Sequence, residues 1–183
     1  MSDDAEQSLV PPTVEPGVVV ASGRTPSGLR VDLEGYDESR RVETPSEYEA
    51  WPEGPKHMPQ HGGQLLVSVT DADGVAGVAG SVSWHQVAYG PTIGSFAWNF
   101  GIGLAPTCQG HGVGTVAQRL LAEWLLATTP LDRVEASTDV QNVAEQRSLE
   151  KAGFTREGVL RQAQARADGR HDLCSYSLLR IDL

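Results

Sequence analysis

At 183 residues, 39% of them hydrophobic, the chain is long enough to bury one real core, and no apolar run reaches the length of a membrane span. Its 24 acidic against 14 basic residues, a formal charge of −10, argue against nucleic acid as the main partner and mildly favour a cationic substrate. Cys108 and Cys174 are lone thiols without a CxxC partner, so neither a disulfide framework nor a zinc site is expected. With no basic-then-apolar leader at its start, the chain reads as a soluble, cytoplasmic protein.

Residues 1 to about 16 are acidic, Pro-bearing and poor in aromatics, which predicts a disordered or loosely attached tail. Val18 to Ala21 and Leu29 to Leu33 are candidate strands around a Gly-, Ser- and Pro-rich turn. Thr44 before Pro45 marks the start of a short helix through Trp51, after which Pro52, Pro55, Pro59, Gly54, Gly62 and Gly63 predict a long loop. Leu65 to Thr70 and Val75 to His85 then read as a hairpin through the Asp71 to Gly74 turn, followed by another loop from Gln86 to Ser95.

From Phe96 the pattern sharpens. Phe96, Trp98, Phe100, Ile102 and Leu104 alternate with small or polar residues, the period of two of a strand with one heavily buried face. After Pro106 come Gln109, Gly110, His111, Gly112, Val113, Gly114 and Thr115. From Val113 the apolar residues recur at three- and four-residue steps through Val116, Ala117, Leu120, Leu121 and Trp124. The unit is strand, glycine-rich turn, helix. Beyond Pro130, Arg133 to Thr138 reads as a strand and Asn142 to Ala152 as a helix, with Asn142 and Glu145 at capping-box spacing and Gly153-Phe154 as a Schellman stop. Two strands close the chain, Thr155 to Gln164 and His171 to Arg180, joined through Asp168-Gly169. This order of elements predicts an α/β domain on a largely mixed sheet.

The turn is where chemistry can enter. The first N–H groups of a helix lack internal partners and carry the positive end of its dipole. Glycines at 110, 112 and 114 remove side chains that would keep an anion from those donors, so a phosphate or pyrophosphate is expected at residues 109–115; a tight turn without ligand is the alternative. The spacing is not the dinucleotide fingerprint, because Thr115 stands where its third glycine belongs. Nor is it a P-loop, since no Lys followed by Ser or Thr closes the turn. A nucleotide-binding redox domain is disfavoured accordingly.

Gln109, Gly112 and Gly114 match the Q/R-x-x-G-x-G/A signature of the GNAT acyltransferases, which this segment closely resembles. Asn142 to Phe154, Glu157-Gly158, Arg161, His171-Asp172 and Tyr176 extend the likeness to the RimJ/RimL branch, from about Leu65 to Leu183. The resemblance implies an α/β (α+β) GNAT-type single domain from residue 17 on, with a mixed, mostly antiparallel twisted sheet of about six to seven strands flanked by helices. It implies direct acetyl transfer from acetyl-CoA to a primary amine, of a protein N-terminus or of a small molecule such as an antibiotic, with a homodimer as a family expectation. Carried over by position, the backbone of Ile102, Gly103 and Leu104 would hold pantetheine and polarise the thioester, while Gln109, Gly110, His111, Gly112, Val113, Gly114 and Thr115 would hold the pyrophosphate. Asn142 would reach the pantetheine arm where two strands splay, and Gly101 and Gly103 would permit a close approach or bulge there.

The acid and base are where this chain departs from the family. The frequent family Tyr is Leu149 here, the branch's Ser is Glu145, and its strand-borne Glu is Asn99. Glu145 is either half of a capping pair with Asn142, the favoured reading, or a donor to the departing thiolate; Tyr176 and Ser148 are the other donors. A thiol of pKa about 8.5 also leaves unaided. An amine of pKa about 10.4 is only about one part in a few thousand neutral at pH 7, so a base matters; among His57, His61, His85 and His171 the candidate is His85, whose favoured reading is nevertheless a surface histidine at a strand end. Pro59 between His57 and His61 rules out a helical metal-binding pair, and no metal is expected. His171 and Asp172 are expected to orient the last strand, and Cys108 to be a buried thiol. A module that binds acyl-CoA as a sensor or scaffold without turnover is the competing function.

Overall fold

The computed structural model describes residues 10–54 and 62–183. Eight strands form one sheet in the order β1-β2-β3-β4-β5-β6-β8-β7. They are β1 (Val19–Arg24), β2 (Arg30–Gly35), β3 (Gly62–Thr70), β4 (Ala76–Ala88), β5 (Phe96–Leu104), β6 (Arg133–Asp139), β7 (Thr155–Arg166) and β8 (Gly169–Leu179), with helices α1 (Val113–Thr128) and α2 (Val143–Lys151). Every neighbouring pair is antiparallel except β5 and β6, which run parallel. The sheet is therefore larger than the six to seven strands expected, because β1 pairs with β2 and both C-terminal strands join the same ladder.

The parallel pair decides the architecture. β5 and β6 are in register only at Trp98↔Val134 and Asn99↔Glu135, and beyond that rung they diverge. On the face covered by α1, Trp98 is fully buried and its indole N–H donates to Thr129 Oγ1 at 3.0 Å. Trp84 meets Trp124 of α1 edge-on at 5.3 Å, and Phe100 meets Phe154 at 5.5 Å. Aromatic pairs of this geometry add to the burial of their own area, so the alternation of β5 is spent on one core.

α2 ends as its sequence predicts. The Phe154 N–H donates to Leu149 O and the Gly153 N–H to Glu150 O, with Gly153 at φ +94°, the two bonds of a Schellman stop. Two expectations fail and a third is met in one of its two forms. Gly62 and Gly63 belong to β3 rather than to a loop, since a Cβ on Gly63 would lie 2.4 Å from the Trp84 ring and only glycine lets that strand pass. Instead of a helix to Trp51 there is one 3-10 turn, Glu47–Glu49, capped by the Ser46 hydroxyl, and the chain around it is extended. Of the close approach or bulge expected at Gly101 and Gly103, no bulge forms, because β4 and β5 stay in continuous register from Gly80↔Leu104 to Ala88↔Phe96, but the close approach is present at Gly103. Of the tail, residues 1–9 lie outside the described residues; Val14 packs on the core and Pro16 bridges Gly35. Among the described residues no helix is long and apolar enough to cross a membrane.

Candidate active site

Divergence of β5 from β6 opens a cleft of about 460 Å³ between the end of β5, the glycine turn, α2 and the segment Thr44–Tyr48. Ile102, Gly103, Leu104, Gln109, Gly110, Gly112, Gly114, Thr115 and Asn142 all line it, as do Glu145 and Ser148. Gly110 and Gly112 have φ of +77° and +80°, the left-handed region that glycine enters without strain. Gly112 caps α1 with no side-chain bond, and the Val116 N–H donates to Gly112 O, so the N–H groups just ahead of Val116 face the cleft end of the helix without a cap. The Gln109 side chain ties the turn to β5 through Leu104 O at 3.0 Å. Gly103 passes under the roof segment so closely that a Cβ there would meet Thr44 Oγ1 at 2.7 Å. Such a cradle, with two basic side chains, Arg147 and Lys151, at its α2 edge, suits an anionic ligand with an extended arm.

The floor is polar. Asn142 accepts from the Glu145 N–H and caps α2, but the Glu145 carboxyl does not reach back to complete a capping box. It accepts instead from Gln118 Nε2 at 2.5 Å, and Gln118 Oε1 accepts from the Ser148 hydroxyl, which also lies 3.1 Å from Thr115 Oγ1. Burial raises the Glu145 carboxyl to about pKa 7, against the smaller opposing effect of the Gln118 amide. The favoured reading of Glu145 as a capping side chain therefore fails, and the group stands as a carboxylic acid able to give up a proton near neutrality.

Other expected residues are not brought to this cleft. Tyr176 is fully buried and its hydroxyl donates to Glu150 at 3.3 Å. His111 is exposed beside the turn, and Val113 is buried in the core, so only their backbones can serve. Leu149, at the frequent family Tyr, is core. His171 bridges Asp139 and Asp168 at 2.8 and 2.9 Å, and both carboxylates hold its pKa up, Asp168 more. His57 and His61 lie outside the described residues. Among the described residues no group of three or more His, Cys, Asp or Glu is arranged to hold a metal.

The roof was missed by sequence reading. Tyr48 stacks under the Arg166 guanidinium at 5.7 Å, and the Ala167 N–H donates to Ala50 O at 2.8 Å, which pins the segment to the β7–β8 hairpin. Arg166 is itself held by Asp139 at 2.7 Å.

A second cleft, about 740 Å³, lies between the start of β5, β6 and the edge strand β7, lined by Phe96, Arg133, Glu135, Glu157 and Leu160 among others. Glu135, 7% exposed, accepts from the Tyr89 hydroxyl at 2.6 Å, Arg133 Nε at 3.0 Å and Asn99 Nδ2 at 3.3 Å. His85 stands opposite Asn99 on β4. Burial lowers its pKa against the pull of Glu135, so the imidazole is neutral at pH 7 and free to accept a proton.

A family model for the GNAT acetyltransferase domain matches residues 32–155. The chain is 35% identical over 83 residues to the probable N-acetyltransferase YjcK of Bacillus subtilis strain 168, a stretch covering 45% of this chain and 44% of that protein. Among solved structures, a probable acetyltransferase is 26% identical with a TM-score of 0.53, over 66% of this chain and 64% of the other. The microcin C7 self-immunity acetyltransferase MccE, solved with acetyl-CoA and AMP, is 23% identical with a TM-score of 0.54, over 64% of this chain and 61% of that one, a likeness of fold alone. In each case the match spans less than two thirds of the relative's own length. The matched span runs from β2 through α2 and takes in every residue of the glycine-turn cleft, and on it rests the assignment that this chain belongs to the GNAT acetyltransferase family.

Proposed function

We propose that this protein is an N-acetyltransferase of RimJ/RimL-like type that moves an acetyl group from acetyl-CoA directly to a primary amine. The observation that carries this reading is the cleft at the strand splay, walled by β5 and closed by a glycine-bared helix N-terminus. In it the N–H groups of residues 109–115 receive the pyrophosphate, and the backbone of Ile102 to Leu104 with Asn142 holds the pantetheine arm. Arg147 and Lys151 add positive charge at the edge.

The chemistry rests on two titratable groups, His85 on β4 opposite Asn99 and Glu145 in the glycine-turn cleft. An incoming ammonium yields one proton to the neutral His85, directly or through a water. Its nitrogen then forms the new C–N bond as the C–S bond breaks, and Glu145 delivers its proton to the leaving sulfur. The second nitrogen proton leaves to solvent once the amide has formed. Ser148, held between Thr115 and Gln118, keeps the Glu145 side of the site in place.

A panel of primary amines incubated with acetyl-CoA, read by free-thiol release and by the mass of the product, tests this. Thiol release matched by a 42-dalton acetyl gain, the mass of C2H2O, is expected, on the order of one per amine. Tight CoA binding with no turnover on any amine would instead make the chain a sensor, and CoA seated away from residues 109–115 would remove the acyl-transfer reading altogether.

A further inference from the structure

We infer that Arg166 and Tyr48, with Asp139 behind them, are positioning residues for the acyl transfer proposed above, on which this inference rests: they clasp the Thr44–Ala50 roof down over the glycine-turn cleft and so set how tightly CoA is held there. The roof lines that cleft from Thr44 to Tyr48, yet none of its described side chains is buried, and its regular structure is the 3-10 turn Glu47–Glu49. A segment with so little apolar burial opens at low cost unless other parts of the chain hold it. It is held at both ends and in the middle. Thr44 lies against Gly103, where the missing Cβ lets the two approach. Tyr48 stacks under the Arg166 guanidinium at 5.7 Å, and Ala50 O accepts from the Ala167 N–H at 2.8 Å. The last two ties come from neighbouring residues at the end of β7, so the roof's place depends on that end.

Asp139 ties this clasp to the opposite wall of the cleft. Its Oδ2 accepts from Arg166 at 2.7 Å and lies 2.8 Å from His171 Nδ1, while its Oδ1 accepts from the Gln141 N–H at 2.7 Å. Its main-chain carbonyl accepts from the Asn142 N–H at 3.0 Å. One buried residue thus fixes both the turn that presents Asn142 to the cleft and, through Arg166 and Tyr48, the segment roofing it. Arg166 is oriented further by Gln164 Oε1 at 2.8 Å, and a guanidinium withdrawn from water holds an aromatic face more strongly than an exposed one does. The Tyr48 hydroxyl reaches Gln141 O only at 3.5 Å, so the ring rather than the hydroxyl is the gripping group. Neither Arg166 nor Asp139 is among the residues lining the cleft, so their effect on a ligand has to pass through the roof and the Asn142 turn.

The test is a calorimetric titration of the whole chain with CoA, joined to hydrogen exchange at the Ala167 amide, which reads the clasp without any ligand. Tyr48→Ala is expected to weaken CoA about fivefold at an unchanged melting temperature, and Tyr48→Phe, which keeps the ring, to stay within about twofold of wild type. Exchange at Ala167 is expected to run about fivefold faster in Tyr48→Ala than in Tyr48→Phe. Arg166→Met is expected to weaken CoA as Tyr48→Ala does, and the double variant no further than either change alone, because the two residues act as one unit. Arg166→Met leaves the buried Asp139 with His171 and costs stability, so the two Tyr48 variants carry the result if that protein does not fold. Wild-type CoA affinity in Tyr48→Ala, equal loss in Tyr48→Phe, equal exchange at Ala167 in the two, or additive losses in the double variant each overturn the clasp and leave the acyl-transfer reading standing. A wild-type chain that gives no CoA isotherm sinks that reading, and this role with it.

Discussion

The two clefts have no lining residue in common and are built by different means. The glycine-turn cleft presents main-chain donors, the basic Arg147 and Lys151, the acidic Glu47 and the buried Glu145, and all of its lining falls within the residues matched by the family model. The Glu135 cleft presents carboxylates and exposed aliphatics, and its outer wall, Glu157, Val159, Leu160 and Ser175, lies beyond that match. A binding surface of backbone N–H groups depends on chain path and tolerates few changes, while one of side chains is free to vary with the ligand.

The sharpest way to break that contrast is Gly112→Glu. Bulk and negative charge among the turn's donors, at a φ of +80° that disfavours any side chain, should weaken CoA about a hundredfold or more, read by calorimetry. Next is Glu145→Gln, expected to lower kcat about a hundredfold with little change in the KM for acetyl-CoA. Wild-type kcat should fall as pH rises through about 7, where Glu145 gives up its proton, and the variant should lose that limb. Stability carries the same signature. The unfolded carboxyl titrates near 4.5 and the folded one near 7, so between these values the folded state holds the extra proton and wild-type stability falls as pH rises. Glu145→Gln should flatten this slope in melting curves.

Smaller effects sharpen the charge difference. Arg147→Ala and Lys151→Ala should each weaken CoA about threefold, less at high salt. Arg133→Ala should act on the other cleft. Arg133 is the main cause holding the Glu157 carboxyl down at about 2, so this pair stabilises above about pH 4.5 and is lost as pH falls toward 2. Without Arg133, acid unfolding should begin at higher pH, followed by circular dichroism, with a loss at pH 7 of about 1 kcal/mol.

Much of the first cleft was legible because its signals are local. β5 spans Phe96–Leu104 as the alternation predicts, and the caps of α2 sit within a few residues of the groups they satisfy. Gln118 and Glu145 were harder. Their bond joins two helices, and the Asn142–Glu145 spacing advertised a capping box that the carboxyl does not make. The roof was illegible, since Thr44–Tyr48 has no periodicity and owes its place to Arg166 and Ala167, more than a hundred residues on. Glu135 hid inside a strand that reads as half-buried, and only the pairing with Asn99 and the return of Tyr89 reveal it. Distant partners, not weak propensities, set the limit.

Because β5 and β6 share only the Trp98–Val134 and Asn99–Glu135 rungs, the molecule behaves as two leaves with a narrow spine, β1–β5 on one side and β6–β8 on the other. Strain introduced at either leaf passes through that spine, across α1, or through the Thr44–Ala50 segment that Arg166 and Ala167 tie to the β7–β8 hairpin. Amides at Trp98, Asn99, Val134 and Glu135 are therefore the reporters from which hydrogen exchange would read how far the leaves part.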